Sequence, residues 1–172
     1  MRKFFLPLVI LFGLMVSCSD GDLQVETIDF NDIALQFCSD PNPSSNNILF
    51  KINATETLIL DLQSGALNNG TVGETITTTS TIPGQSTLTY RNFSENVTNT
   101  YFCDDVPPAT PTVTQEIGAQ DGVVTIVTVA DSEGTNFTHT ITLSGISFIA
   151  DNGERITNLT IDEFGEVTTA VP

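Results

Sequence analysis

The chain has 172 residues, of which 21 are Asp or Glu and five are Lys or Arg, so its formal charge at pH 7 is −16. A surface this acidic repels phosphate, which excludes binding to nucleic acid and to anionic lipid head groups. Hydrophobic residues make up 40% of the chain, enough for the core of one domain, and the acidic residues are spread along it rather than gathered in a tail. The composition therefore predicts one folded, acidic domain.

The first 17 residues are typical of a secretory signal peptide. Arg2 and Lys3 give a positive start, and an apolar run follows from Phe4 to Val16. A run of about 13 residues is too short for a membrane-spanning helix, which needs roughly 20. It fits instead the apolar part of a signal peptide, which is removed on export. The rest of the sequence contains no second apolar run long enough to span a bilayer.

The end of this run, Leu14-Met15-Val16-Ser17-Cys18, resembles the lipobox of bacterial lipoproteins, with methionine where leucine is more usual. The resemblance implies that the Cys18 thiol takes a diacylglyceryl group, that cleavage falls just before Cys18, and that the new amine is acylated. Acyl chains contribute about 0.8 kcal/mol per buried methylene, enough in combination to hold a domain on a membrane. An ordinary signal peptide, or an N-terminal membrane anchor, is the alternative.

We assign residues 18–32 to the lipidated cysteine and an acidic tether that begins Ser19-Asp20-Gly21-Asp22. Acidic residues at this place resemble the surface-export signal of some Gram-negative envelopes, which implies the outer membrane and its outer face. Residues 1–17 carry two cations and no acid, so the mature chain keeps three cations against all 21 carboxylates. Its formal charge is therefore −18.

Cys38 and Cys103 remain once Cys18 is lipidated, and outside the cytoplasm a disulfide between them can persist. Their surroundings are similar: the stretches Phe37-Cys38-Ser39-Asp40-Pro41 and Phe102-Cys103-Asp104-Asp105-Val106-Pro107 share three features. Each has a phenylalanine before the cysteine, an aspartate two residues after it, and a loop that contains proline. A bridge between two strand ends explains this similarity, and closing such a long loop stabilises by about 4 kcal/mol. Two buried, separate thiols are the alternative.

Residues 33–172 are predicted to form a single β domain, because short apolar segments alternate with turn sequences and no helical period is present. The predicted strands are 33–37, 48–52, 58–62, 76–82, 88–90, 97–103, 113–117, 123–129, 137–143, 146–149, 156–161 and 167–171.

Four details of this pattern make specific predictions. Ile48, Phe50 and Ile52 share one strand face, with Lys51 on the other. Pro83-Gly84-Gln85 turns the fourth strand back into the fifth as part of a meander, and residues 118–122 separate two later strands. The segment 123–129 is apolar on both faces, which favours a central position in a sheet.

The sequence thus predicts an all-β fold, with an antiparallel two-sheet β-sandwich as the first choice. A closed up-and-down β-barrel with a ligand cavity is the alternative, because the connections are short and sequential.

Catalytic patterns are weak, and we predict that the protein is not an enzyme. His139 is the single histidine and shares a strand face with Phe137 and Ile141, which favours a hydrogen-bonded core position. No Gly-x-Ser-x-Gly segment supplies a nucleophile. Paired carboxylates for glycoside cleavage usually accompany an aromatic cleft, whereas tryptophan is absent and Tyr90 and Tyr101 are the two tyrosines.

Calcium is the cofactor that the sequence allows, since hard cations bind several oxygen ligands. Two turn sequences space such oxygens closely, and their candidate ligands are Asp131, Glu133, Asn136, Asp151, Asn152 and Glu154. Neither turn has the spacing of an EF-hand. The same residue types are expected in tight turns for backbone reasons, so we predict no specific metal site.

The sequence therefore favours a lipid-anchored, exported envelope protein whose β domain binds or scaffolds another envelope protein or a glycan. The alternatives are a carbohydrate- or small-ligand-binding module, a calcium-dependent adhesion module and, last, a small hydrolase. Glycan binding through stacked aromatic rings would need Tyr90 or Tyr101 to be exposed.

Overall fold

The computed structural model describes residues 28–149, 153, 155–156 and 162–170. Several sequence predictions lie outside these residues: the signal peptide 1–17, lipidation at Cys18, the tether as far as residue 27, the turn residues Asp151, Asn152 and Glu154, and the strand ends at 157–161 and 171.

The described chain is almost entirely β-structure, which confirms the predicted all-β class. Its elements are β1 Gln36–Phe37, β2 Asn47–Asn53, β3 Glu56–Leu62, β4 Ile76–Ile82, β5 Thr87–Phe93, α1 Thr100–Cys103, β6 Val113–Ala130, β7 Asn136–Ile149, β8 Arg155–Ile156 and β9 Glu163–Ala170.

All strand pairs are antiparallel, and the sheet curls into a half-barrel. One part, the A half, consists of β1, β2, β3, β5 and the beginning of β6; the other, the B half, consists of β4, the end of β6, β7, β8 and β9. The two halves contribute buried residues to one apolar core. They differ from separate sheets because β6 runs through both.

The predicted turn at residues 118–122 is instead the bend of this long strand. The β6–β7 register shifts twice between Ala119 and Val123, and such bulges increase bend and twist. Gly122 has a φ of +144°, and a Cβ there would lie 2.4 Å from Ile146 Cδ1. Glycine at this position thus allows one strand to serve both halves, whereas sequence reasoning took the glycines as the limits of a turn.

The predicted β4–β5 hairpin is wrong. β4 pairs with residues 122–128 of β6, and β5 pairs with residues 113–118. The two strands therefore follow one another along the same edge of β6, and Pro83-Gly84-Gln85 forms the corner between the halves. The amides of Gln85 and Ser86 both donate to Thr81 O, which closes this corner.

Of two other predicted strands, one is absent from the described chain and one is shortened. Residues 97–103 are irregular and end in the single turn α1, where Cys103 is held by its disulfide. At 33–37 the strand is reduced to β1, because Ile33 donates its amide to Phe30 O in a turn and Leu35 packs over Gly165. The strand at 123–129 does lie centrally, between β4 and β7.

The faces of β2 are the reverse of those that the apolar pattern suggests. Leu49 and Lys51 point into the core, whereas Ile48 and Phe50 lie on the outer face. The core is built mainly from the inward residues of both halves: Leu49, Leu58, Leu60, Leu62, Leu88, Tyr90, Ile117, Val124, Ile126, Ile141, Leu143, Phe148, Phe164 and Val167.

Lys51 is 2% exposed and links the two sides of the half-barrel where the curled sheet does not close. Its Nζ donates to Phe30 O at 2.8 Å and to Glu163 O at 3.2 Å, and it lies 5.6 Å from the centre of the Phe164 ring. Burial lowers the pKa of Lys51, although the nearby carboxylate of Glu163 opposes this effect. The ammonium thus connects β2, β9 and the segment around Phe30.

We expect Lys51→Met to lower the free energy of unfolding by about 2 kcal/mol, because methionine fills the space but leaves two carbonyls without their charged donor. Urea denaturation measures the loss, and hydrogen exchange should accelerate at Ile33. The control is Ile52→Met, a change to the same residue type on the opposite face. Unchanged exchange at Ile33 in Lys51→Met would show that this lysine does not hold the segment.

Candidate functional site

The candidate site is a groove of about 480 Å³ on the outer face of the A half, turned away from the core. We call it the disulfide groove; it is lined by Cys38, Ser39, Asp40, Ser45, Asn46, Asn47, Ile48, Leu49, Ile59, Asp61, Thr89, Arg91 and Phe102. Its volume lies in the range of ligand sites.

Strand register sets the floor of the groove. Residues directly opposite each other in antiparallel strands share a face. Ile48 is therefore beside Asp61, and Ile59 is beside Thr89. Ile48 is 58% exposed, which places a large aliphatic side chain in solvent near the beginning of β2.

The wall of the groove is held by the disulfide. Cys38 and Cys103 are bonded, with their Cα atoms 5.1 Å apart, which confirms the predicted bridge. The bridge fixes α1 beside β1, and the Phe102 ring stacks on Phe50 with centroids 4.6 Å apart. Tyr101 packs edge-on to Phe93 at 4.9 Å. These four rings form a second apolar cluster outside the main core, so the wall is fixed by packing as well as by the covalent bond.

The charges around the groove are mixed but mostly negative. Arg91 pairs through Nε with Glu116 on the neighbouring strand, and both side chains are partly exposed. Asp40 and Asp61 line the groove without a cationic partner of their own in the described chain. Of the three cations that follow residue 17, two have described side chains: Lys51 is buried and Arg91 is paired.

Two further cavities have less defined walls. One of about 570 Å³ lies between loop residues 41–44, the 65–70 turn and the end of β9, and another of about 370 Å³ lies beside the entering segment 31–35. The first is formed mainly by Asn, Ser, Pro and Gly of loops. The disulfide groove is built on three strands and a stacked ring, so its shape is the best maintained of the three.

His139 lies in the core, as its strand face predicts, and is fully buried. Its Nδ1 and Nε2 each lie 2.8 Å from a hydroxyl, of Thr128 and Thr169 respectively. Thr169 donates its proton to Asn69 Oδ1, so it accepts from His139 Nε2–H, and Thr128 donates to Nδ1. Burial lowers the pKa of His139 to about 4. The ring is therefore a neutral link between β6, β7, β9 and the turn before β4.

Asp131 uses its carboxylate inside the β6–β7 turn. Oδ1 accepts from the Thr135 amide, and Oδ2 accepts from the Thr135 hydroxyl and from the backbone and side-chain nitrogens of Asn136. These bonds, with the Thr135 amide first, hold the pKa of Asp131 well below its usual range. A calcium ion at this turn would have to displace them. Glu133 is exposed in the same turn.

The remaining sequence candidates are placed as follows. Tyr90 is buried and its hydroxyl donates to Glu56, and Tyr101 is half-buried against Phe93, so neither ring is presented flat to solvent. Within the described residues, no group of three or more His, Cys, Asp or Glu side chains is placed to hold a metal ion. That same part of the chain contains no helix long and apolar enough to cross a bilayer.

Comparison of the chain with protein-family models, with curated proteins and with solved structures finds no match.

Sequence reasoning found the bridge but missed the groove. An apolar alternation on a strand normally marks the buried face, so the pattern of Ile48 and Phe50 gives no sign of an exposed groove floor. The signal available was Lys51, because the stretch 48–52 is apolar on both faces apart from this lysine. The position of α1 depends on the fold and has no local signal.

We expect His139 to make the protein less stable as the pH falls from about 6.5 to 4. In this window the unfolded chain protonates its histidine while the folded chain keeps it neutral, a difference on the order of 3 kcal/mol. His139→Gln removes the titration, so its free energy of unfolding relative to wild type should rise by this amount over the window. Urea denaturation at several pH values measures this. Contributions of the carboxylates cancel in the difference, and parallel curves for the two proteins would contradict the prediction.

Proposed function

We propose that the chain is an exported protein, lipid-anchored through Cys18, whose non-enzymatic β domain binds another component of the cell envelope in the disulfide groove. The anchor rests on the resemblance of residues 14–18 to a lipobox. The acidic tether favours the outer membrane and exposure at the cell surface.

The observation that supports a binding role is the exposed apolar floor on an outer sheet face. Ile48 at 58% exposure lies beside a wall that a disulfide and a stacked phenylalanine pair hold in place. Exposing an aliphatic side chain in such a rigid depression stabilises nothing in the free domain, whereas covering it with a partner is favourable by about 25 cal/mol per Å².

A small ligand is the second candidate for the same groove, because its volume of about 480 Å³ matches that of small-molecule sites. A calcium-dependent adhesion role and a hydrolytic role remain alternatives without a described site. The oxygen-rich turn at Asp131 is already satisfied by its own donors, and His139 is enclosed in the core.

For the anchor, we expect Cys18→Ala to abolish incorporation of radioactive fatty acid and to move the protein from the membrane to the soluble fraction. The physical reason is that no thiol remains for the acyl chains that hold it. Labelling and fractionation of cells measure both effects. Ser17→Ala, which keeps a small residue before the cysteine, is the control and should behave as wild type. Retention of Cys18→Ala in the membrane, with a precursor matured to the same size, would sink the anchor.

For the groove, a photo-reactive residue placed at position 48 should cross-link a discrete partner in intact cells, because this side chain lies on the groove floor. Position 129 is the matched control: Val129 is 40% exposed on β6, outside the groove. The double change Cys38→Ser with Cys103→Ser should weaken the cross-link at 48, since the wall loses its tie. Equal adducts at 48 and 129, or none at 48, would refute a binding role for the groove.

A further inference from the structure

We infer that the occupant of the disulfide groove is a polypeptide segment that combines aliphatic side chains with lysine or arginine. This inference rests on the proposed binding role and adds to it the chemistry of the partner. It follows from three features of the groove: its apolar floor, the sign of its charges and its open shape.

The apolar floor of the groove favours aliphatic side chains in the partner. Ile48 is exposed, Ile59 is half-buried on the same sheet face, diagonally across from Ile48, and the Phe102 ring forms the adjoining wall. These groups come from three different elements and meet at one place, so an aliphatic side chain laid between them would lose contact with water on several sides. A polar sugar would bury little apolar surface in the groove, because the rings of Tyr90 and Tyr101 pack elsewhere in the domain and cannot stack on it.

The negative charge around the groove favours cationic side chains in the partner. Asp40 and Asp61 line the groove, while Arg91 forms an ion pair with Glu116 in the next strand. The mature chain as a whole carries a formal −18. A field of this sign attracts cationic segments and repels anionic ones, and it raises the association rate of the former most at low salt.

The open shape of the groove fits a segment of polypeptide chain better than an enclosed ligand. The floor crosses β2, β3 and β5, whose spacing makes it about 10 Å wide. Ser39 and Ser45 line it as well, and they provide polar groups for the peptide units that lie between apolar side chains. A depression of about 480 Å³ takes two or three side chains of an adjoining segment.

The test uses the mature chain 18–172 carrying Cys18→Ala and three fluorescent decapeptides of matched length. The first alternates leucine with lysine, the second leucine with glutamate, and the third serine with lysine. Fluorescence polarisation at low and physiological salt should show binding of the first peptide, weakened by salt. The second and third should each bind at least about tenfold more weakly, because each lacks one of the two required features.

Variants assign the binding to the groove. Ile48→Ser and Asp61→Asn should each weaken binding of the leucine–lysine peptide by roughly tenfold, the scale of a residue central to an interface. Their matched controls, Val129→Ser and Glu74→Gln, make the same kind of change on exposed residues outside the groove and should leave binding as it is. Circular dichroism and thermal melting confirm that all four variants fold.

Other outcomes overturn the inference. Equal binding of the serine–lysine peptide, or equal weakening by the control variants, would show charge attraction without a docking site. Binding of Nile red or of a cationic detergent in place of the peptide would make the groove a small-ligand site. Loss of a dimer in sedimentation on Ile48→Ser would make the occupant a second copy. In these last two cases a cross-link at position 48 can still be present, so the binding role stands, whereas absence of that cross-link refutes the role itself.

Discussion

The fold depends on a buried ammonium group. A half-barrel has two open ends, and here Lys51 on β2 donates to backbone carbonyls of Phe30 and Glu163, which lie at the entering segment and at β9. A buried charge is costly unless it is hydrogen-bonded, so the lysine fixes the separation of these three pieces of chain.

The inward position of Lys51 has a consequence for the opposite face. Because strand residues alternate, placing Leu49 and Lys51 inside puts Ile48 and Phe50 outside. Phe50 is then covered by Phe102, which the Cys38–Cys103 bond holds over the sheet. Ile48 stays uncovered. The disulfide groove is thus the remainder of an apolar outer face that the domain covers only in part, and the binding proposal and the chemistry of the partner both follow from this remainder.

Stability and charge act at separate places in this molecule. The core contains His139 as a neutral ring between two threonine hydroxyls. Among the described core residues, this ring is the group whose protonation makes stability depend on pH in the acidic range. The described carboxylates lie mainly outside it, where their charge would attract the cationic segment that we propose as the partner. A change at His139 should therefore alter the response of stability to pH without altering the groove, and a change at Asp61 should do the reverse.

Local sequence patterns were enough to predict the strand-rich class and most strand positions, and they favoured the bridge over two separate thiols, because these features depend on local period, turn residues and the number of cysteines. Leu58, Leu60 and Leu62 alternate and are buried, and Asp131 to Gly134 turn the chain. Only the tertiary structure decided that β6 passes through both halves and that Lys51 points inward. Both depend on contacts between residues far apart in the chain, Gly122 with Ile146 and Lys51 with Glu163, and no local pattern encodes such contacts.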